Sequence, residues 1–291
     1  MLAWLVVGAA QANVDLPQAD GSTLELDRPA QRIVTLAPNL AELAYAAGAG
    51  DLLVATVEYS DYPPEAAALP RIGDAFRFDL ERILALRPDL VVTWQSGNPA
   101  PAQAALEKLG LRVWRTEIRK PADIADLLEA VGRATGREAT ATAAANHLRT
   151  ALDSLRARYA RRAPVRYFYQ VAERPLYTVN GQHLISRALA VCGGENVFAD
   201  LPGLAPQISP EAVLQADPDV LIAPRISSDD EPLAKWLAWP RMRAVQAGAL
   251  LYVPADEISR ATPRLLDGIE VACKRLDSYR QSRQAEQRAG P

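Results

Sequence analysis

Two cysteines, two histidines and no long apolar run set the first limits on this 291-residue chain. His147 and His183 each lack a second histidine at ligand spacing, which argues against a histidine-rich zinc or manganese centre, and no metal site is expected. There is no Walker phosphate loop, no G-x-G-x-x-G after a strand and no G-x-S-x-G elbow, so no catalytic constellation and no cofactor are expected. Nothing after the N-terminus approaches the ~18 unbroken apolar residues of a membrane span. Basic and acidic residues number 32 and 35, for a net charge of −3, which lacks the one-sided basic field that nucleic acid requires.

What is present points outward from the cytoplasm. The run from Met1 to Ala10 is apolar and is followed by Ala10-Gln11-Ala12, a small-x-small pattern, so residues 1–12 read as a shortened secretory signal segment without a positive n-region. In an oxidising compartment, Cys192 and Cys273 read as one disulfide closing a loop of about 80 residues, worth at most roughly 4 to 5 kcal/mol by chain entropy. Two buried free thiols are the alternative reading. Neither cysteine lies where a bacterial lipoprotein carries its lipid, which favours a soluble periplasmic protein without a lipid anchor.

A chain of this length exceeds what one hydrophobic core usually serves, so two lobes are expected. RIVTLA (32–37) reads as a buried strand, with Asn39 capping the helix that follows. LLVATVE (52–58), DLERILALR (79–87), DLVVTW (89–94), PAQAALEKLG (101–110) and RVWRTE (112–117) continue as alternating strands and helices, the signature of a parallel α/β layer. From about Pro121 the pattern becomes Ala-rich and helical, with Gly132 and Gly136 ending a first helix and a long one from about Arg137 to Arg161. Alternation resumes with VRYFYQVA (165–172), a helix near Ser186 to Val191, DVLIAP (219–224), ALLYVPA (249–255) and a last helix from about Pro263 to Tyr279. The expected organisation is therefore an N-terminal lobe over 28–135, a bridging helix over 136–163, a C-terminal lobe over 164–279 and a frayed tail over 280–291.

One segment occurs twice. DLERILALRPDLVVTW (79–94) aligns with SPEAVLQADPDVLIAP (209–224), placing Glu81 on Glu211, Leu84 on Leu214, Pro88 on Pro218 and Asp89 on Asp219. Both carboxylates then fall near helix starts at equivalent points of two lobes. Complementing the helix N-terminus is the simplest role for each.

The runs RIVTLAPNLAELAYAAGA, VEYSDYPPEA, DLERILALRPDLVVTW with Gly97-Asn98, VCGGENVF and DEISRATPR, in this order from about Arg28, resemble the cobalamin-binding members of the helical-backbone solute-binding proteins of ABC importers, a family that also carries iron-siderophores and haem. The resemblance implies a class III, TroA-like architecture: two Rossmann-like α/β lobes joined by one long rigid helix, a corrinoid held in the cleft between them, and a monomer in solution. It implies that Glu81 and Glu211 pin the protein onto arginines of the permease dimer, one carboxylate per lobe. It also implies that Tyr59 and Trp94 line the cleft and that Asp256 and Arg260 reach the amide arms of the corrin.

The chain departs from the family pattern at three cleft rings. Ala75 and Ala205 stand where tryptophans are found, and Val171 where a phenylalanine is found, with Phe76, Phe78, Tyr169 and Tyr177 nearby. Phe76 and Tyr169 are therefore added to the expected ligand contacts. Rival cargoes on the same fold are a ferric siderophore, for which Arg71, Arg77, Arg225 and Arg260 are candidate contacts, and haem, for which Tyr59, Tyr62 or His183 is a candidate axial ligand. An enzyme subunit on a nitrogenase-type scaffold is a further alternative, opposed by the lack of a cluster-binding cysteine set.

Overall fold

The computed structural model describes residues 13–289; the expected signal segment lies outside them. The described residues cluster into two compact units. Unit 1 runs to Glu117 and adds Asp126–Ala145; unit 2 comprises Ile118–Ala125 and the chain from Asn146 onward.

Unit 1 opens with an antiparallel hairpin, β1 (Val14–Pro17) and β2 (Thr23–Leu26), in which Val14 pairs with Leu26. The alternation in VDLP and TLEL around Asp20-Gly21 is a hairpin pattern. The main sheet contains β3 (Ile33–Thr35), β4 (Leu53–Ala55), β5 (Leu90–Trp94) and β6 (Val113–Thr116), all parallel, in the order β4-β3-β5-β6. Helices α1 (Pro38–Ala46), α2 (Leu80–Ala85) and α3 (Ala100–Lys108) connect them. Short β-branched strands buried on both faces suit this arrangement, and Val34, Val91, Ile83, Leu106 and Val113 form its core. Asn39 does not cap α1: Ala37 is the N-cap and Pro38 opens the helix, so proline's fixed φ starts the turn.

α4 (Pro121–Thr135) and α5 (Glu138–Tyr159) follow. Gly132 does not end α4; it is the point of close approach to α5, where an added Cβ would stand 2.5 Å from that of Ala141. Gly136, at φ 69°, makes the break. α5 begins in unit 1 and finishes in unit 2.

The sheet of unit 2 holds β7 (Val165–Tyr169), β8 (Gly194–Asn196), β9 (Val220–Arg225) and β10 (Leu250–Pro254), again all parallel, in the order β8-β7-β9-β10. Taken in chain order, both sheets are therefore 2-1-3-4. Helices α6 (Leu184–Ala190), α7 (Pro210–Ala216) and α8 (Arg243–Gln246) intervene, α9 (Ala255–Ser259) follows β10, and Phe168, Trp236, Leu221 and Val213 centre the core. α10 (Leu265–Ala289) runs ten residues past the expected end at Tyr279, because Gln, Arg, Glu and Ala sustain a helix and Arg283 pairs with Glu286 at 2.7 Å. Cys192, after α6, and Cys273, on α10, are joined as a disulfide with Cα atoms 5.0 Å apart.

The duplicated segment repeats down to single bonds. Asp79 caps α2 and Ser209 caps α7. Arg87 and Asp217, 130 residues apart, both end their helices at positive φ, 48° and 41°. Asp89 and Asp219 donate their N–H groups to the carbonyls of Arg32 and Arg166, each at 2.8 Å. Arg32 in turn donates to the carbonyl of Leu86 at 2.7 Å, and Arg166 to that of Ala216 at 2.8 Å, so each arginine terminates the preceding helix.

Candidate functional site

In a parallel α/β sheet the loops beyond the carboxyl ends of the strands are where side chains can converge on a ligand. In unit 1 those loops expose four rings: Tyr59 and Tyr62 after β4 (75% and 44% exposed), Phe76 before α2 (69%) and Trp94 at the end of β5 (38%). The backbone at Tyr59, Phe76 and Trp94 is distinctive. Tyr59 sits at φ 64°, a left-handed conformation that tyrosine rarely adopts. Beneath it Ser60 is buried and linked to Thr56 at 2.8 Å, and Thr56 to Thr35 at 2.9 Å. Phe76 rides a turn in which the Asp74 carboxylate accepts the N–H groups of Phe76 and Arg77, both at 2.7 Å; these two bonds hold that carboxyl below its usual range.

Trp94 is fixed from below. Its ring covers Gly97, where an added Cβ would lie 1.8 Å from a ring carbon, so only glycine fits. The backbone N–H of Trp94 donates to Oδ1 of buried Asn98 at 2.7 Å, while Nδ2 of Asn98 donates to the carbonyls of Leu36 (2.8 Å) and Ala75 (2.7 Å). Asn98 thus ties the Phe76 loop and Trp94 to the end of β3. No local pattern in the sequence marks Gly97 and Asn98 for this role.

Unit 2 presents a different edge. Asp256 and Arg260 lie on and just after α9, beyond β10, and pair with each other at 3.2 Å; the arginine is the less exposed. Val171, after β7, is 42% exposed and Ala205 is exposed in the loop before α7. Tyr169 corrects an expectation. It is 1% exposed within the core, and burial pushes its phenol far above the ordinary tyrosine range, so its ring presents no face to solvent.

Glu81 and Glu211 are both exposed at the second position of α2 and α7. Hydrogen bonds from its own N–H and from Ser209 hold the Glu211 carboxyl below its usual range. A helix leading into a parallel strand starts on the carboxyl side of the sheet, so each glutamate shares an edge with its unit's exposed loops.

The rival cargo contacts are largely committed elsewhere. Arg71 donates to the carbonyls of Ser60, Ala66 and Leu69; Arg225 lies over the Tyr252 ring at 4.6 Å and beside Glu231 at 3.5 Å. Nδ1 of His183 accepts the Ile185 N–H as the cap of α6, and burial followed by the charge of Arg119 lowers its pKa to about 4. Among the described residues no cluster of His, Cys, Asp and Glu could hold a metal ion, and no helix is long and apolar enough to cross a membrane.

Two parallel four-stranded units of identical strand order, sharing one long helix and carrying their exposed side chains at the carboxyl edges, define the class of two-lobed α/β binding proteins with a helical backbone. The chain belongs to the periplasmic binding protein family, whose model matches residues 33–257. It is 40% identical over 249 residues to the vitamin B12-binding protein of Vibrio cholerae serotype O1, covering 85% of this chain and 90% of that one. It is also similar to the crystal structure of the periplasmic vitamin B12 binding protein BtuF of Vibrio cholerae, with a TM-score of 0.82, 39% identity, and coverage of 87% and 98% of the two chains. A periplasmic heme binding protein from Pseudomonas aeruginosa shares the fold, with a TM-score of 0.71, 24% identity, and coverage of 84% and 92%.

Proposed function

We propose that this chain is a soluble periplasmic solute-binding protein, without a lipid anchor, that captures cobalamin and delivers it as a monomer to the permease of an ABC importer. It carries its cargo unchanged and performs no catalysis. One observation carries the reading: Tyr59, Phe76 and Trp94 stand exposed at the ligand-bearing edge of unit 1 in a chain 40% identical to a vitamin B12-binding protein. A corrin is broad, flat and largely apolar with amide arms at its rim, so flat rings supply contact area while Asp256 and Arg260 hydrogen-bond the arms. Glu81 and Glu211 are the docking pins for permease arginines, since paired charge-assisted bonds at equivalent points of two units suit a two-fold partner.

The ferric-siderophore alternative is weakened by the engagement of Arg71 with backbone carbonyls and of Arg225 and Arg260 with acidic neighbours. Calorimetric titration with cyanocobalamin, dicyanocobinamide and a ferric hydroxamate tests the reading. One-to-one corrinoid binding is expected; heat from the iron chelate alone would replace cobalamin with the siderophore. For docking, joint charge reversal of Glu81 and Glu211 is expected to abolish permease binding with cargo affinity unchanged, and normal docking by that variant would remove both residues from the interface.

A further inference from the structure

Unit 2 has no exposed ring at the places where the family pattern puts two, but the same edge carries Ile226, which at 90% exposure is the most exposed large apolar side chain among the described residues. Isolated apolar residues are common on protein surfaces and need no explanation by exposure alone. Position sets Ile226 apart. β5 and β9 are the third strands of two sheets with the same order, each preceded by the same duplicated helix-to-strand segment. In the duplicated register Trp94, the last residue of β5, falls on Pro224; β9 runs one residue further, to Arg225, and Ile226, two residues past Pro224, is the first residue beyond it.

The local bracing is also duplicated. The Trp94 N–H donates to the side-chain oxygen of Asn98, four residues on, at 2.7 Å; the Ile226 N–H donates to the carboxylate of Asp230, also four residues on, at 3.2 Å. Ser227 donates its N–H to the same Asp230 oxygen at 2.9 Å, closing the turn. Both units therefore use a side-chain acceptor at the fourth residue to hold an apolar side chain outward at the end of the third strand. A β-branched side chain in a braced turn loses little rotamer freedom on contact, which suits it to lie against a flat apolar face.

We propose that Ile226 is a cargo-contacting, specificity-determining residue, the counterpart in unit 2 of Trp94 in unit 1. The inference rests on the corrinoid-binding reading. The test is calorimetric titration of cyanocobalamin into the wild type, Ile226→Ser and Trp94→Ala, with a thermal melt of each protein. Ile226→Ser is expected to raise Kd about ten-fold, the scale of one apolar side chain returned to water, with the melting temperature unmoved because the side chain packs against little in the free protein. An unchanged Kd for Ile226→Ser alongside a raised Kd for Trp94→Ala would overturn the inference and leave the cargo reading standing. Absence of corrinoid binding by the wild type would end the cargo reading, and the inference with it.

Discussion

The two units share a scaffold and differ at its working edge. Strand order, helix caps, positive-φ helix ends and arginine-terminated helices repeat. The edges diverge: unit 1 presents four rings, three of them on strained or braced backbone, whereas unit 2 presents aliphatic Val171 and Ile226 and the Asp256–Arg260 pair and keeps Tyr169 buried. The shared bonds lie in the joint between helix and strand, where they close helix ends and seat the next strand. The carboxyl-edge loops satisfy no such common requirement, so duplication preserves the joint and leaves the loops free to specialise.

The largest expected break in the symmetry is redox. Only unit 2 holds cysteines, so reduction of Cys192–Cys273 is expected to cost about 2 to 4 kcal/mol. Hydrogen exchange should show weakened protection in β7–β10 and unchanged protection in β3–β6. Equal loss in both sheets would mean that the units do not unfold independently.

Acid should also strike unit 2 first. The helix after the first strand is opened by Pro38 in unit 1 but capped by His183 in unit 2. With the His183 pKa lowered to about 4, the unfolded chain takes up a proton below about pH 6.5 that the folded one refuses until about pH 4. Stability is thus full above pH 6.5 and falls as the pH drops across that interval, by at most about 3 kcal/mol. His183→Asn keeps a cap acceptor and is expected to flatten this dependence in melts taken between pH 7 and 4; an unaltered slope would assign it to other groups.

Gly97→Ala should weaken corrinoid binding about ten-fold, roughly 1.4 kcal/mol, because the new methyl displaces the Trp94 ring. Calorimetry of the variant reads this directly. The smallest effect separates the paired helix ends. Arg87→Gly relieves a left-handed residue and is expected to stabilise by up to about 1 kcal/mol. Asp217→Gly is expected to destabilise by about as much, since Asp217 accepts from the Arg243 N–H and guanidinium, both at 2.9 Å. Denaturant midpoints of the two variants should move in opposite directions.

The scaffold was readable because its signals are local. RIVTLA, DLVVTW, VRYFYQVA and DVLIAP each contain a strand as β-branched and aromatic runs, and the offset of 130 between Glu81 and Glu211 is present in the letters. Three-residue β8 and the hairpin β1–β2 were too short or too polar to stand out. The tail past Tyr279 looked frayed by polarity, although its residues are helix formers. Among the expected contacts, the resemblance supplied Tyr59 and Trp94, which are exposed, but a tyrosine in a buried strand alternation carries no mark of which side it faces, and Tyr169 is buried. The Asn98 brace joins carbonyls 62 and 23 residues away, and no periodic pattern announces such a bond.

The central claim is that the exposed rings of unit 1 hold the cargo. Titrating cyanocobalamin into the wild type and into a Tyr59→Ala, Phe76→Ala, Trp94→Ala triple variant tests it most directly. The account predicts one-to-one binding by the wild type and none by a variant with an unchanged melting temperature; comparable affinity in both proteins would contradict it.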